Sequence, residues 1–260
     1  MFWTEDPTTD VDHRPWPLPA RPWIMAQRWT DLLFAHWPVD AEALRTIVPD
    51  SLPIDTFENR AWVSIAAFYL SHLRPRWLPA LPIVSEFPEV NVRTYVTLGD
   101  KPGVYFFSLE AGSTLAVAAA RAMYFLPYFR ADMSIRAAAD GTLQYRSRRT
   151  DPRGRPAELS VRYRPTGPIS RAKSGSLDHW LTERYCLYAV DHARRVRRAE
   201  IHHRPWPLQP AHAEFEANTM ATAAAITLPA SAPRVSFASR LDVVVWRLER
   251  VGDVSRSEAR

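Results

Sequence analysis

The sequence has very few lysines and almost no cysteine. Of its 33 basic residues, Lys101 and Lys173 are the lysines, so 33 − 2 = 31 are arginines. Arginine stays protonated in proteins and cannot replace lysine as an amine nucleophile. Chemistry through a lysine nucleophile therefore has only two positions at which it could occur. The one cysteine, Cys186, cannot form an internal disulfide, which fits a reducing compartment.

Long apolar runs and the common catalytic motifs are missing as well. The longest apolar stretches, near 115–120 and 220–229, are too short to span a bilayer. The first residues are acidic and rich in proline, unlike a signal peptide, so we expect a cytoplasmic location without membrane association. The sequence contains no G-x-S-x-G, no phosphate-binding loop and no G-x-G-x-x-G. It also has no familiar metal-ligand spacing, and we expect neither a metal nor a cofactor.

The charge balance is basic, with a net charge of +5 and a pI near 9.6. Such a balance permits nucleic-acid binding. However, the basic residues do not form one run, and no recognisable nucleic-acid module accompanies them. The densest cluster consists of Arg146, Arg148, Arg149, Arg153 and Arg155. On a predicted hairpin at 142–164, one face carries Arg146, Arg148, Arg162 and Arg164. We interpret that face as solvated and do not expect nucleic acid as a partner.

The length of 260 residues suits a single large domain. Five prolines between Pro7 and Pro22 predict a loosely ordered leader over 1–24, with tryptophans that could dock it onto the body. A single domain at 25–252 and a tail at 253–260 follow. Helices are expected after the N-cap Asp40 and at 114–126, 176–185 and 210–225. In the second, Thr114 is the expected N-cap and Leu115 belongs to the apolar face. Strands are expected at 32–35, 61–71, 89–98, 103–111, 132–138, 142–149, 158–164, 185–190, 195–203 and 243–251, with Lys101 in the turn between the third and the fourth. Many short strands and few helices predict an α+β protein with a mostly antiparallel sheet that curls or closes.

The segment 89–96 is the most informative part of the sequence. Because strand side chains alternate between faces, one face would carry Glu89, Asn91, Arg93 and Tyr95, and the other would be apolar apart from Thr94. Pointed into solvent, this is an ordinary amphipathic strand. Pointed into a closed sheet, it is the wall of a ligand site. Alternation alone leaves both interpretations open.

Several stretches resemble the YqjF-like family of uncharacterised bacterial proteins. The resemblance covers about residues 25–250, nearly the whole chain. The stretches are QRWTDLLFAHWPV (27–39), VPDSLPID (48–55), FPEVNVRTYV (87–96), GVYFFSL (103–109), LPY (126–128), YRPTG (163–167), LTERY (181–185) and IHHRPWPL (201–208).

That family in turn is similar to acetoacetate decarboxylase. This similarity implies an antiparallel sheet wrapped into a barrel around a pocket, with Glu89 at the pocket carboxylate and Arg28 at the pocket arginine. In the decarboxylase, two lysines follow the proline that ends a helix, and one forms a Schiff base with the substrate ketone. Here Tyr128 follows Pro127. The resemblance therefore implies the decarboxylase fold without its covalent step.

These observations lead to one main hypothesis and two alternatives. The main hypothesis is that the protein binds a small anionic or carbonyl-bearing molecule inside the barrel, without a Schiff-base lysine. The first alternative is an enzyme that uses Glu89 as general acid or base on a carboxylate substrate. The second is a basic nucleic-acid binder. Whether the chain is an enzyme, and whether it assembles into a homo-oligomer, stays open. The candidate ligand-binding residues are Arg28, Glu89, Asn91, Arg93, Arg121 and Tyr128.

Overall fold

A computed structural model describes residues 6–78 and 85–253. It contains twelve strands in one sheet and a few short helices. The strands are β1 Met25–Val39, β2 Ala61–Pro75, β3 Phe87–Leu98, β4 Lys101–Ala111, β5 Tyr128–Ala137, β6 Leu143–Arg149, β7 Glu158–Pro165, β8 Cys186–Val190, β9 Arg195–His203, β10 Leu208–Asn218, β11 Arg234–Val245 and β12 Glu249–Asp253. The α-helices are α1 Ala41–Arg45, α2 Thr114–Tyr124, α3 Leu177–Thr182 and α4 Met220–Ala223, and a 3₁₀ turn spans Pro7–Thr9.

The sheet closes on itself twice. Its strand order is β12-β9-β8-β4-β3-β2-β1-β11-β10-β7-β6-β5, and two further pairings join β9 to β11 and β4 to β5. We call the closed path through β1–β4, β8, β9 and β11 the first ring. The path through β1–β4, β5, β6, β7, β10 and β11 is the second ring. Apart from the parallel β4–β5 and β4–β8 pairs, these pairings are antiparallel. The expected curled, mostly antiparallel sheet is confirmed.

Both faces of the shared strands are buried, which gives the protein two large apolar cores. Leu32 and Phe34 of β1 belong to the core that includes α2, α3, β8 and β9, whereas Leu33 and Ala35 belong to the core that includes β6 and β7. This follows from alternation along a strand. Burial of a side chain such as Phe34 contributes roughly 1.5–3 kcal/mol. A strand that is buried on both faces therefore has an almost continuous run of apolar residues.

Residues 6–24 have little regular structure, as their prolines indicate, but the described part of the expected loose leader is held against the body. Arg14 pairs with Glu200 at 2.9 Å and donates to the backbone oxygen of Ile201. The ring nitrogen Nε2 of His202 lies 2.8 Å from the backbone oxygen of Pro7, and Trp16 donates to Glu200. These side-chain contacts hold the segment in place, because its prolines lack the backbone N–H groups that strand pairing requires. The boundaries at 25 and 252 stay a prediction.

The helix predicted at 210–225 is wrong for most of its length. Residues up to Asn218 form β10, and α4 alone is helical. Along β10, Ala211, Ala213 and Phe215 are half-buried while His212 and Glu214 are exposed. This period of two fits a strand that pairs with β7.

Two smaller expectations also need correction. Ser113, rather than Thr114, caps α2 by accepting from the backbone N–H of Ala116, and Leu115, expected on its buried face, is 65% exposed. The long final strand ends at Val245 and resumes as β12 after a break at 246–248. By contrast, the predicted cap of α1 is confirmed, since Asp40 accepts from the N–H of Glu42.

Candidate functional site

The polar face of β3 points into the protein. Glu89 and Asn91 are nearly fully buried, Arg93 is 9% exposed, and Tyr95 is completely buried. The neighbouring residues on β2 are Phe68, Ala66 and Ser64, in register with Glu89, Asn91 and Arg93. Of the two interpretations of this strand, solvated surface and interior wall, the structure therefore supports the wall.

Tyr128 lies beside Glu89 and donates its hydroxyl hydrogen to the Glu89 Oε2 atom at 2.9 Å. The chain brings it there because α2 ends at Tyr124, Phe125 adopts a left-handed conformation with φ of 53°, and Pro127 prevents helix continuation. The next strand, β5, then pairs in parallel with β4 and places Tyr128 opposite Leu109. Tyr128, the residue that follows Pro127, thus contacts the carboxyl group that was predicted to lie in the pocket.

Burial raises the pKa of Glu89 to about 8. Hydrogen bonds from Tyr128 and Asn91 favour the ionised form and oppose that shift, while the nearby negative charge of Glu110 adds to it. Burial and the proximity of Glu89 also raise the pKa of Tyr128 well above its ordinary value. Near neutral pH the side chain of Glu89 is therefore mostly a carboxylic acid, which can donate a hydrogen bond.

Arg93 is buried without a counter-charge among the described residues. Its guanidinium stacks over the Phe34 ring at 5.1 Å, and its Nε atom has no hydrogen-bond partner. Asn91 Oδ1 and the indole nitrogens of Trp29 and Trp206 are also buried without partners. Trp29 and Trp206 stack on each other at 5.8 Å, and Trp206 contacts Phe34 edge-on. Buried polar groups in native proteins normally have partners, so these unpaired groups make the first ring the candidate site.

A cluster of polar side chains that the sequence did not indicate completes this wall. Ser64 Oγ lies 2.5 Å from His36 Nδ1 and 2.6 Å from the Tyr95 hydroxyl, all buried. Burial and then the charge of Arg93 lower the pKa of His36 well below 6.5, so its ring is neutral. A histidine within the apolar run of β1 was the one available signal. Its contact with Ser64 depends on the β1–β2 register.

A second buried charged group lies across the β3–β4 hairpin. Glu110 forms an ion pair with Arg149, and Ser108 donates to it at 3.3 Å. Burial raises the pKa of Glu110 to about 7, while Arg149 opposes the shift. Arg149 also stacks over Phe129 at 4.0 Å and reaches a surface cavity of about 570 Å³. Pairing across β5 therefore brings Arg149, a member of the densest basic cluster, into the second ring.

Arg28 and Arg121 lie apart from Glu89. Arg28 donates to Asp242 at 2.6 Å. Since successive side chains of a strand point to opposite faces, Arg28 lies on the other side of β1 from Trp29. Arg121 is half-buried, 3.5 Å from Asp151. Of the six predicted residues, the structure thus brings together Glu89, Asn91, Arg93 and Tyr128.

The two lysines lie elsewhere. Lys101, expected in a turn, begins β4 and pairs with Glu200. It lies eight residues along β4 from Leu109, the neighbour of Tyr128, which corresponds to roughly 26 Å of strand. Lys173 is exposed between β7 and α3. None of the helices in the described ranges is both long and apolar enough to cross a membrane.

Comparison with known proteins places this architecture in a family. The sequence model of the family DUF2071, described as an uncharacterized conserved protein, matches residues 26–242 of this chain. The chain belongs to this family. The uncharacterized protein YqjF of Bacillus subtilis (strain 168) is 46% identical over 228 residues, which cover 88% of this chain and 93% of that protein. The YqjF-like resemblance is therefore confirmed.

Solved structures of the decarboxylase type share the fold of this DUF2071 chain at low identity. Acetoacetate decarboxylase of Legionella pneumophila matches with a TM-score of 0.60 and 12% identity, over 96% of this chain and 97% of that one. The enduracididine biosynthesis enzyme MppR, in complex with pyruvate, matches with a TM-score of 0.59 and 13% identity, over 92% of this chain and 93% of that one. These likenesses establish an acetoacetate decarboxylase-like fold.

Proposed function

We propose that the protein binds a small carboxylate that also bears a carbonyl group, in the first ring and without a covalent bond to lysine. The observation that carries the proposal is the buried guanidinium of Arg93, which has no ion-pair partner among the described residues. Removing an ion from water costs several kcal/mol unless a counter-charge compensates. An anionic ligand would supply that counter-charge, and arginine matches the geometry of a carboxylate.

Glu89 supports the carbonyl part of the proposal. Because its pKa is raised to about 8, Glu89 is a neutral acid near pH 7. Tyr128 and Asn91 both donate to its carboxyl group, and the protonated oxygen can still donate its own hydrogen to a carbonyl oxygen. Glu89 and Arg93 lie four residues apart on one face of β3, about 13 Å between Cα atoms. Their side chains can therefore contact opposite ends of a short ligand.

The lysines support the non-covalent part. A Schiff base needs an unprotonated amine at the ligand carbonyl, and the resemblance to the decarboxylase implies Tyr128 at the position of its lysine. MppR, which shares the fold, has been solved with pyruvate. Pyruvate is therefore a reasonable first probe, with propionate lacking the ketone and acetone lacking the carboxylate.

The test is titration of the wild-type protein with the three probes, followed by NMR. We expect pyruvate to bind more tightly than propionate or acetone. Arg93→Met should weaken pyruvate binding at least about tenfold, because a charge-assisted hydrogen bond is lost. The same substitution should stabilise the unliganded protein, since it removes a buried cation that lacks a partner. Equal affinity of wild type and Arg93→Met for pyruvate would overturn the proposal.

Arg184→Met is the matched control. Arg184 is also buried but is paired with Asp55 at 2.6 Å, so this variant should lose stability where Arg93→Met gains it. Borohydride treatment with pyruvate should leave no adduct. An adduct on Lys101 or Lys173 would refute the non-covalent part alone.

The alternative of an enzyme with Glu89 as general acid or base draws support from the same raised pKa, since a proton held near neutral pH suits acid–base work. Exchange of the pyruvate methyl protons with D₂O separates the two functions. A general acid–base enzyme should accelerate the exchange, and Glu89→Gln should abolish that acceleration while still binding pyruvate. A pure binding protein should leave the exchange rate unchanged.

The nucleic-acid alternative depends on the outer face of β6 and β7. Arg146, Arg148, Arg162 and Arg164 are exposed there. However, Arg162 contacts Glu214 and Glu216 of β10, and Arg148 contacts Asp132. Acidic side chains thus interrupt the basic surface, and no observation favours this function.

A further inference from the structure

A surface groove lies outside the first ring, where the segment between β9 and β10 passes β11. It has a volume of about 370 Å³, within the range of small-molecule sites. Three arginines line it, namely Arg171, Arg204 and Arg240. Its apolar lining includes Pro7, Ile169 and Leu241.

The positive charge of this groove exceeds what its one acidic residue can neutralise. Asp242 lines the groove and already accepts hydrogen bonds from Arg28 at 2.6 Å and from Arg240 at 2.9 Å. Arg171 is exposed and has no hydrogen bond or ion pair with any residue in the described ranges. The charged side of the groove is therefore suited to an anion.

The other side of the groove is apolar. Ile169 is 59% exposed, and prolines flank it in the lining. Exposed apolar surface next to cations favours a ligand that has both an anionic head and an apolar body. No aromatic side chain lines the groove, so it lacks the stacking surface that single-stranded nucleic acids use.

We infer that this outer groove binds small amphipathic carboxylates. Arg171 holds the carboxylate, and the apolar body lies against Ile169 and Leu241. This site is separate from the interior one. Arg28, which holds Asp242, is on the opposite side of β1 from Trp29, whose ring faces the interior. The groove therefore does not depend on the proposed function of the first ring.

The test uses octanoate, with octanamide as the uncharged analogue and acetate as the analogue without an apolar body. Titration followed by NMR is expected to show saturable binding of octanoate and much weaker binding of both analogues. Arg171→Ala should weaken octanoate binding about tenfold, as expected for a lost charge-assisted hydrogen bond. Asp242→Asn should strengthen it, because the competing carboxylate is removed.

Two controls identify the site. Arg136→Ala removes an exposed arginine of β5 that lies outside the groove lining, and it should leave octanoate binding unchanged. Arg93→Met tests the interior, and octanoate binding should survive it. Loss of octanoate binding in Arg93→Met but not in Arg171→Ala would overturn the inference and favour the interior site. Equal binding of octanamide and octanoate, or no saturable binding of octanoate, would also overturn it.

Discussion

Replacing Glu89 with glutamine is expected to change how the stability of the protein depends on pH. The folded-state pKa of about 8 lies above the ordinary 4.5. Between these values the folded protein holds a proton that the unfolded chain has released. The free energy of unfolding of the wild type should therefore fall as pH rises from about 4.5 to about 8. The free energy of unfolding falls by about 5 kcal/mol in total, and about 3 kcal/mol of this decrease has occurred by pH 7.

Glutamine has a similar shape and does not titrate, so Glu89→Gln should lack this loss. Urea denaturation at several values between pH 5 and pH 9 measures it. The two proteins should have similar stability at pH 5, and the variant should become more stable than the wild type as pH rises, by roughly 1.4 kcal/mol per pH unit. Glu158→Gln, which removes an exposed carboxylate, is the matched control. A difference between wild type and Glu89→Gln that stays constant from pH 5 to pH 9 would refute the assignment of Glu89 as a buried neutral acid.

The other predictions concern the second ring and the N-terminal segment. At pH 9, where Glu110 is ionised in the wild type, Arg149→Ala should lower the free energy of unfolding by about 3 kcal/mol, because it leaves the buried Glu110 carboxyl group without its counter-charge. The double variant Arg149→Met/Glu110→Gln should recover most of the loss in urea denaturation, and an equal loss in both proteins would contradict the role of charge. Burial lowers the pKa of His202 to about 4, so its contribution to docking Pro7 should be lost as pH falls from about 6.5 to about 4. Hydrogen exchange of residues 6–16, corrected for intrinsic rates, should then increase in the wild type but not in His202→Gln, and identical behaviour would refute this mechanism.

Much of the fold was predictable because the shared strands carry strong local signals. The alternation in β3 correctly separated the Glu89 face from the apolar face, and Asp40 correctly marked the start of α1. The prediction failed at β10, where several alanines favour a helix by intrinsic propensity. Pairing with β7 and burial of alternate residues prevailed there. Tertiary pairing therefore overrode local preference.

Residue alternation predicted the site only where its residues lie on one strand. Glu89, Asn91 and Arg93 share a face of β3, and Tyr128 was found through the resemblance to the decarboxylase. The contact between His36 and Ser64 was not predictable, because it depends on strand register. The same resemblance placed Arg28 in the pocket. In the structure Arg28 pairs with Asp242, and its place in the pocket stays a prediction.

The pairing of β1 with β11 sets a limit on when this protein can fold during its synthesis. β1 leaves the ribosome long before Arg234–Val245, which closes both rings. Because synthesis proceeds at about 5–20 residues per second, one edge of β1 stays unpaired for on the order of ten seconds or more before β11 is made. During that time its apolar side chains and unpaired backbone groups are open to other chains. Nascent chains that stop before residue 234 should therefore depend on chaperones far more than chains that include β11 do.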